Sequence, residues 1–274
     1  MSEAFDYVQY HVGQVARHLN DVRGKRVLVV GCNRGREVSL FLDAGAREVW
    51  GVDVMDEIGI DFPHARARYL QMSGEAMDLD DRMFEIVFCV ATMEHISRPE
   101  DAFSEISRVA ADEGFVYVVS APLWHSRQGH HKSDIFDVDR YPWIHLRLDE
   151  EALLRLCDSG DIEYARHVDD VPAEVAYMMS SEHLNRRPAR DYVQICSELK
   201  ELFIERNHLD LEPEAVLELV PREARAELLA RAGDATELRA LTHTLAAWKL
   251  RRPRGDRYAR ARRRMRRALN LTVV

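Results

Sequence analysis

The chain has 274 residues, 46% hydrophobic and 31% charged, with a formal net charge of −9, proportions that exclude a disordered or fibrous protein. No stretch approaches the ~20 consecutive apolar residues of a membrane-spanning helix, and MSEAFDYVQYHVG has neither a basic start nor an apolar signal core, so a cytoplasmic protein is expected. Eleven of the 38 basic residues lie from Lys249 onward against the single acid Asp256, so the tail carries +10 and the preceding body −19, a poor general platform for nucleic acid.

Taken in order, Phe5, Val8, Val12, Val15, Leu19 and Val22 fall at three- and four-residue steps and predict a helix over 5–22. An apolar strand over 25–30 follows, of the kind buried on both faces of a parallel sheet. Gly31 to Gly35 form a turn, a helix follows with Val38, Leu40, Phe41 and Leu42 available for burial, and Gly45 ends it before a strand over 48–52. Short strands are expected over 67–72 and 85–91. Ser97-Arg98-Pro99-Glu100 has capping-box spacing for a helix carrying Ala102, Phe103, Ile106 and Val109, and a strand over 115–120 follows Gly114. This alternation predicts an α/β fold, an open and mostly parallel sheet with helices on both faces.

Beyond residue 120 the rhythm loosens. Residues 122–148 read as a long loop rich in histidine, aromatics and aspartate, and loops of that length are commonly functional. A helix over 149–157 and a sixth strand over 162–167 are expected. Residues from about 171 to 238 read as a mostly helical, strongly acidic insertion broken at Pro172, Pro188, Pro213 and Pro221. The threonines and tryptophan of LTHTLAAWKL, 241–250, predict a last strand returning to the sheet edge. The division expected is therefore one domain over 1–250 and an arginine-rich tail over 251–274.

Cys32, Cys89, Cys157 and Cys196 form no CxxC pair, so neither disulfides nor a thiolate zinc site is suggested. Gly31 and Gly35 bracket a turn where a ligand can approach the backbone and a helix N-terminus supplies N–H donors. Asp53, ending the second strand, stands where a carboxylate can accept both hydroxyls of a ribose. Glu94 and His95 lie just past the fourth strand. His125, His130, His131 and His145 sit in the long loop on the same edge, so the two histidine sources should converge.

The run from GEAMDLDD through FEIVFCVATMEHISRPEDAF to EGFVYVVSAP resembles the middle of the class I S-adenosylmethionine-dependent methyltransferases, and the likeness extends over residues 25–122. It implies a Rossmann-like sheet with a reversed last strand and S-adenosyl-L-methionine as cofactor. Gly31, Cys32 and Gly35 would line its methionine end, Asp53 would hold the ribose, and Glu75 with Ala76 would meet the adenine. Two departures stand out: Val29 replaces the acid often found two residues before the first glycine, and Asn33 replaces a frequent central glycine. ATMEHI with the histidines downstream also looks like the metal-dependent branch, which includes ubiquinone-biosynthesis and small-RNA 2′-O-methyltransferases, although the first glutamate of that branch's E-x-x-E-H segment is missing. By that likeness Glu94, His95, His130 and His131 would hold Mg²⁺ or another divalent metal.

A sulfonium methyl group is already electrophilic, so the enzyme must mainly align a nucleophile, and a hydroxyl acceptor must also lose its proton. His95, His130 and His131 are the candidates for that role. Trp124, Tyr141 and Trp143 beside polar loop residues suit a sugar or oligosaccharide acceptor, and the loop looks similar to those of saccharide methyltransferases of the methylmannose-polysaccharide type. The alternatives are an RNA 2′-O-methyltransferase served by the tail, a C- or N-methyltransferase of a secondary metabolite, and a non-catalytic cofactor-binding scaffold. The tail itself reads as a helix laid on the acidic body or on a neighbouring protomer of a homo-oligomer.

Overall fold

The computed structural model describes residues 6–251; the expected tail beyond Arg251 lies outside the described residues. Seven strands form one sheet: β1 (Arg26–Val30), β2 (Glu48–Asp53), β3 (Ala67–Gln71), β4 (Phe84–Val90), β5 (Ala110–Ser120), β6 (Leu202–Leu211) and β7 (Ala240–Lys249). Their order is β3-β2-β1-β4-β5-β7-β6. The five strands from β3 to β5 run parallel, whereas β7 is antiparallel to both β5 and β6. The α/β sheet with a reversed last strand is thus as the sequence led one to expect.

Two apolar layers fix the sheet. On one face α1 (Tyr7–Leu19) and α2 (Arg36–Asp43) cover Val27, Val29, Val49, Ile86 and Phe88. On the other, α3 (Pro99–Val109) and α7 (Ala189–Ser197) cover Leu28, Val52, Val87 and Val116. Alternate residues of β1 enter opposite layers, which is why its sequence is apolar throughout. Each fully buried Val, Leu, Ile or Phe contributes roughly 1.5–3 kcal/mol. α1 is capped by Asp6, whose carboxylate accepts from the Gln9 N–H at 2.9 Å.

Three expectations need correction. Residues 162–167 form no strand; Ala165 donates to Ile135 O, but no ladder slot exists for this segment in the sheet. Residues 171–238 are not wholly helical: α6 (Val171–Met178), α7, α8 (Arg222–Ala232) and α9 (Ala235–Arg239) are joined by the ten-residue strand β6. β7 consequently lies inside the sheet rather than at its edge. Its terminal Lys249 is buried, donating from Nζ to Ser107 O at 2.5 Å and pairing with Glu201, and so it locks β7 to the end of α3.

The loop after β5 contains α4 (Ile144–Arg147) and leads to α5 (Glu150–Asp158). It is anchored by two small apolar clusters, one around Phe136, Leu153 and Val175 and one around Trp143, Leu217 and Leu238. Among the described residues no helix is long and apolar enough to cross a membrane.

Candidate active site

Strand order reverses between β1 and β4, and in open α/β sheets the crevice beyond the carboxyl ends at that point receives ligands. The glycine turn sits there. Gly31 has φ +75°, and a Cβ on it would lie 2.1 Å from Thr92 Oγ1, past the end of β4. Gly35 begins α2 at φ +101°, with Tyr69 packed where a side chain would go. Asn33 takes φ 44°, a left-handed conformation that asparagine tolerates better than most residues, and this accounts for its standing where glycine is frequent.

Asp53 closes the turn from β2. Its Oδ2 accepts the Asn33 N–H at 2.8 Å, and its Oδ1 accepts those of Val54 at 2.7 Å and Met55 at 3.2 Å. A carboxylate offers about four lone-pair sites, so capacity for a further donor remains. The turn is also held from outside: Arg34 pairs with Asp61 and Glu57, and the Gly59 N–H donates to Asn33 O at 2.9 Å.

Two further expected cofactor contacts also serve the fold. The Cys32 side chain is fully buried beside Gly51, where a Cβ would meet its Sγ at 2.5 Å, so only its main chain faces the turn. Burial pushes its thiol well above the usual range. Glu75 is half-buried and spends both oxygens on Arg98, taking the N–H at 2.8 Å and the guanidinium at 3.1 Å. It thereby caps α3 in place of the expected Ser97, while Ala76 beside it is exposed.

Glu94 and His95 lie in a short 3₁₀ turn, Met93–His95. His131 arrives from the long loop, and a donor atom from each of Glu94, His95 and His131 lies within 4.8 Å of the other two. The convergence expected from the sequence is therefore met by these three. The His95 Nδ1 is 2.8 Å from His183 O and the His131 Nε2 is 2.8 Å from Pro122 O. A carbonyl only accepts, so those nitrogens carry the protons and the opposite ones, His95 Nε2 and His131 Nδ1, keep free lone pairs. Burial, reinforced by the neighbouring His95, holds His131 down to about 3, and burial likewise lowers His95. Burial pushes the Glu94 carboxyl up to about 8, only partly offset by peptide N–H groups of Glu94, Ala121 and Thr92. Among the described residues neither Glu94 oxygen reaches a hydrogen-bond partner at good geometry, although the residue is 3% exposed.

His130 does not join them. His131 takes φ 58°, which turns the two neighbours to opposite sides, and the His130 ring sits 5.3 Å from that of His145. Its Nδ1 accepts the Lys132 N–H at 3.0 Å, so Nε2 carries the proton, and burial holds the ring down to about 4. The expected roles of His130 as metal ligand and base are corrected accordingly. Of the three aromatics Trp143 is fully buried, whereas Tyr141 and Trp124 are both partly buried, Tyr141 beside Ile144 and Leu153 and Trp124 with Arg186 over its ring at 4.7 Å.

Asn185 was not visible in the sequence as a site residue. Its Nδ2 donates to Met93 O and Ile96 O at 2.8 Å each, and its N–H donates to Glu94 O at 2.9 Å, so it fastens the whole 3₁₀ turn. His183, two residues before, supplies the carbonyl that orients His95. Nothing in the local pattern NRRP signals this, because the contact is tertiary.

A sequence profile described as "Methyltransferase domain" matches residues 28–118. A tRNA U34 carboxymethyltransferase of Idiomarina loihiensis is 28% identical over 111 residues, 37% of this chain and 34% of that protein. A ubiquinone biosynthesis O-methyltransferase of Neisseria meningitidis serogroup C is 24% identical over 184 residues, 63% of this chain and 66% of that protein. The chain thus spans less than two thirds of the length of either relative. The structure of an S-adenosylmethionine-dependent methyltransferase from Mesorhizobium loti superposes with a TM-score of 0.51 at 14% identity, covering 88% of this chain and all of that one, which speaks to the fold.

Proposed function

We propose that the chain, whose residues 28–118 match a methyltransferase domain, is a class I, S-adenosylmethionine-dependent methyltransferase that transfers a methyl group to a hydroxyl oxygen of a polar small molecule. The observation that carries this reading is the Glu94, His95 and His131 cluster, joined to the glycine turn through Thr92 and containing a buried carboxyl without a good partner. An acceptor that already bears a nucleophilic lone pair, such as an amine, needs little beyond alignment, whereas a hydroxyl needs help losing its proton.

The donor set fits a divalent cation. The two imidazoles each present a free nitrogen because the other is hydrogen-bonded to a main-chain carbonyl, the support that metal-binding histidines usually have. Two imidazoles and one carboxylate suit Zn²⁺, Mn²⁺ or Fe²⁺ better than Mg²⁺, which prefers oxygen ligands. When bound there, such a cation would lower the pKa of an acceptor hydroxyl. Asn185 keeps Glu94 and His95 in register, and the glycine turn with Asp53 seats the cofactor. The saccharide acceptor is retained as the first class to test, supported by the partly buried Trp124 and Tyr141 and the polar loop, whereas Trp143 belongs to the core.

The test is transfer of label from S-adenosylmethionine to a panel of sugars, glycans, phenols and RNA, with EDTA and after addition of Mn²⁺, Zn²⁺ or Mg²⁺. Metal-dependent labelling of a hydroxyl is expected. Labelling of an amine or carbon irrespective of metal would replace this reading with N- or C-methylation, and cofactor binding without turnover on any acceptor would leave a scaffold.

A further inference from the structure

Glu37 lies in the first turn of α2, two residues past Gly35, and is 8% exposed. Its sequence neighbour Arg36 turns away to Asp6 at 2.9 Å, and no cation pairs with Glu37 among the described residues. α2 starts from the glycine turn with Gly35 as its N-cap, and Glu37, within the first turn of the helix, lies among its buried residues with Val38, Phe41 and Leu42. The strand that leads into that turn offers no acid, Val29 being fully buried among apolar neighbours.

A nearly buried carboxyl without a cation is costly to keep unless something positively charged binds beside it. Asp53, the other acid at the turn, is already committed to three N–H donors and faces the ribose end. S-adenosylmethionine carries an α-ammonium on its amino-acid portion, the end that the glycine turn would hold.

We propose that Glu37 is the counter-ion for that α-ammonium, in place of the acid that the first strand lacks. This rests on the cofactor reading above. Near a helix N-terminus the aligned peptide dipoles offset part of the burial cost of the ionised carboxylate, and the bound ammonium would offset the rest.

The test is calorimetric titration of the full chain with S-adenosylhomocysteine, with its deaminated analogue, and with 5′-methylthioadenosine, which lacks the amino-acid end. Glu37→Gln should weaken S-adenosylhomocysteine binding roughly 10- to 100-fold, the range of a charge-assisted hydrogen bond. It should leave methylthioadenosine unchanged. The deaminated analogue tests the same contact without altering the protein: it should bind the wild type more weakly by a similar factor and distinguish little between wild type and variant. Equal S-adenosylhomocysteine affinity in wild type and Glu37→Gln overturns the assignment, as does an equal loss for methylthioadenosine, which would mean a structural role. If the wild type takes up neither nucleoside, it is the cofactor reading that fails.

Discussion

Gly31→Ala tests the geometry of the turn on which the site depends. The φ of +75° costs an L-residue about 1–2 kcal/mol in the left-handed region. The added methyl would stand 2.1 Å from Thr92 Oγ1, 2.3 Å from its Cγ2 and 2.7 Å from its Cβ, so Thr92 and the end of β4 must move. Overpacking of this kind costs ~1–3 kcal/mol, which puts the total near 2–5 kcal/mol. Thr92→Ala removes two of the three close atoms but leaves the Cβ, so only Thr92→Gly opens the space fully. A double-mutant cycle of Gly31→Ala with Thr92→Gly, read by urea unfolding and by S-adenosylhomocysteine calorimetry, should therefore recover about 1–3 kcal/mol of coupling, leaving the backbone strain. Affinity should fall more than stability does, because Thr92 leads directly to Glu94. Unchanged unfolding and affinity in Gly31→Ala, or strict additivity in the cycle, would refute this account of the turn.

Asp53→Ala should abolish S-adenosylmethionine binding in calorimetry while the chain stays folded; retained affinity would remove Asp53 from the ribose site. Asn185→Ala leaves Met93 O and Ile96 O without their side-chain donor, a cost of about 1–3 kcal/mol, and should lower kcat well beyond its effect on cofactor affinity, an effect that kinetics would miss only if the 3₁₀ turn holds itself. In the unliganded protein, Glu37 is raised to about 7, so its contribution to stability is complete below pH 4.5 and is lost as pH climbs through 7, roughly 3 kcal/mol in all; Glu37→Gln should flatten this limb in urea titrations across pH. His243, held near 4 by burial, works in the opposite sense: its contribution is present above pH 6.5 and lost as pH falls towards 4, a loss that His243→Gln should lessen.

The parallel core of the sheet was legible because β1, most of β4 and the second half of β5 are buried on both faces and read as apolar runs. β6 was hidden for the converse reason. It is the edge strand, and Glu205, Arg206 and Asp210 are exposed along it, so LFIERNHLDL gives neither an apolar run nor a clean alternation. The false strand at 162–167 arose from a short mixed segment that in the fold merely rests against Ile135. Within the site, the order glycine turn, acid, EH pair and histidine loop named Gly31, Asp53, Glu94, His95 and His131. The pattern could not say that His130 would face away, since that is decided by one left-handed residue, nor that Cys32 would enter the core. Asn185 and His183 are separated from the turn they secure by some ninety residues of chain and leave no local trace.

Protonation states in the cluster favour a cation over His131 or Glu94 as a direct base. An imidazole held down to about 3 is too weak a base to draw a proton from an alcohol, yet the burial that weakens it leaves its lone pair uncharged and available to a metal. Glu94, raised to about 8, would be a stronger base, but at neutral pH without a positive neighbour it is mostly protonated and cannot accept. A divalent charge beside it would reverse this by favouring the carboxylate, and would give both imidazoles the ligand role their hydrogen bonds to His183 and Pro122 prepare. The two mechanisms therefore separate in chelator. A Glu94 base acting alone would keep its activity in EDTA with a rate that rises through pH 8, whereas a cation-dependent site would lose activity in EDTA at every pH.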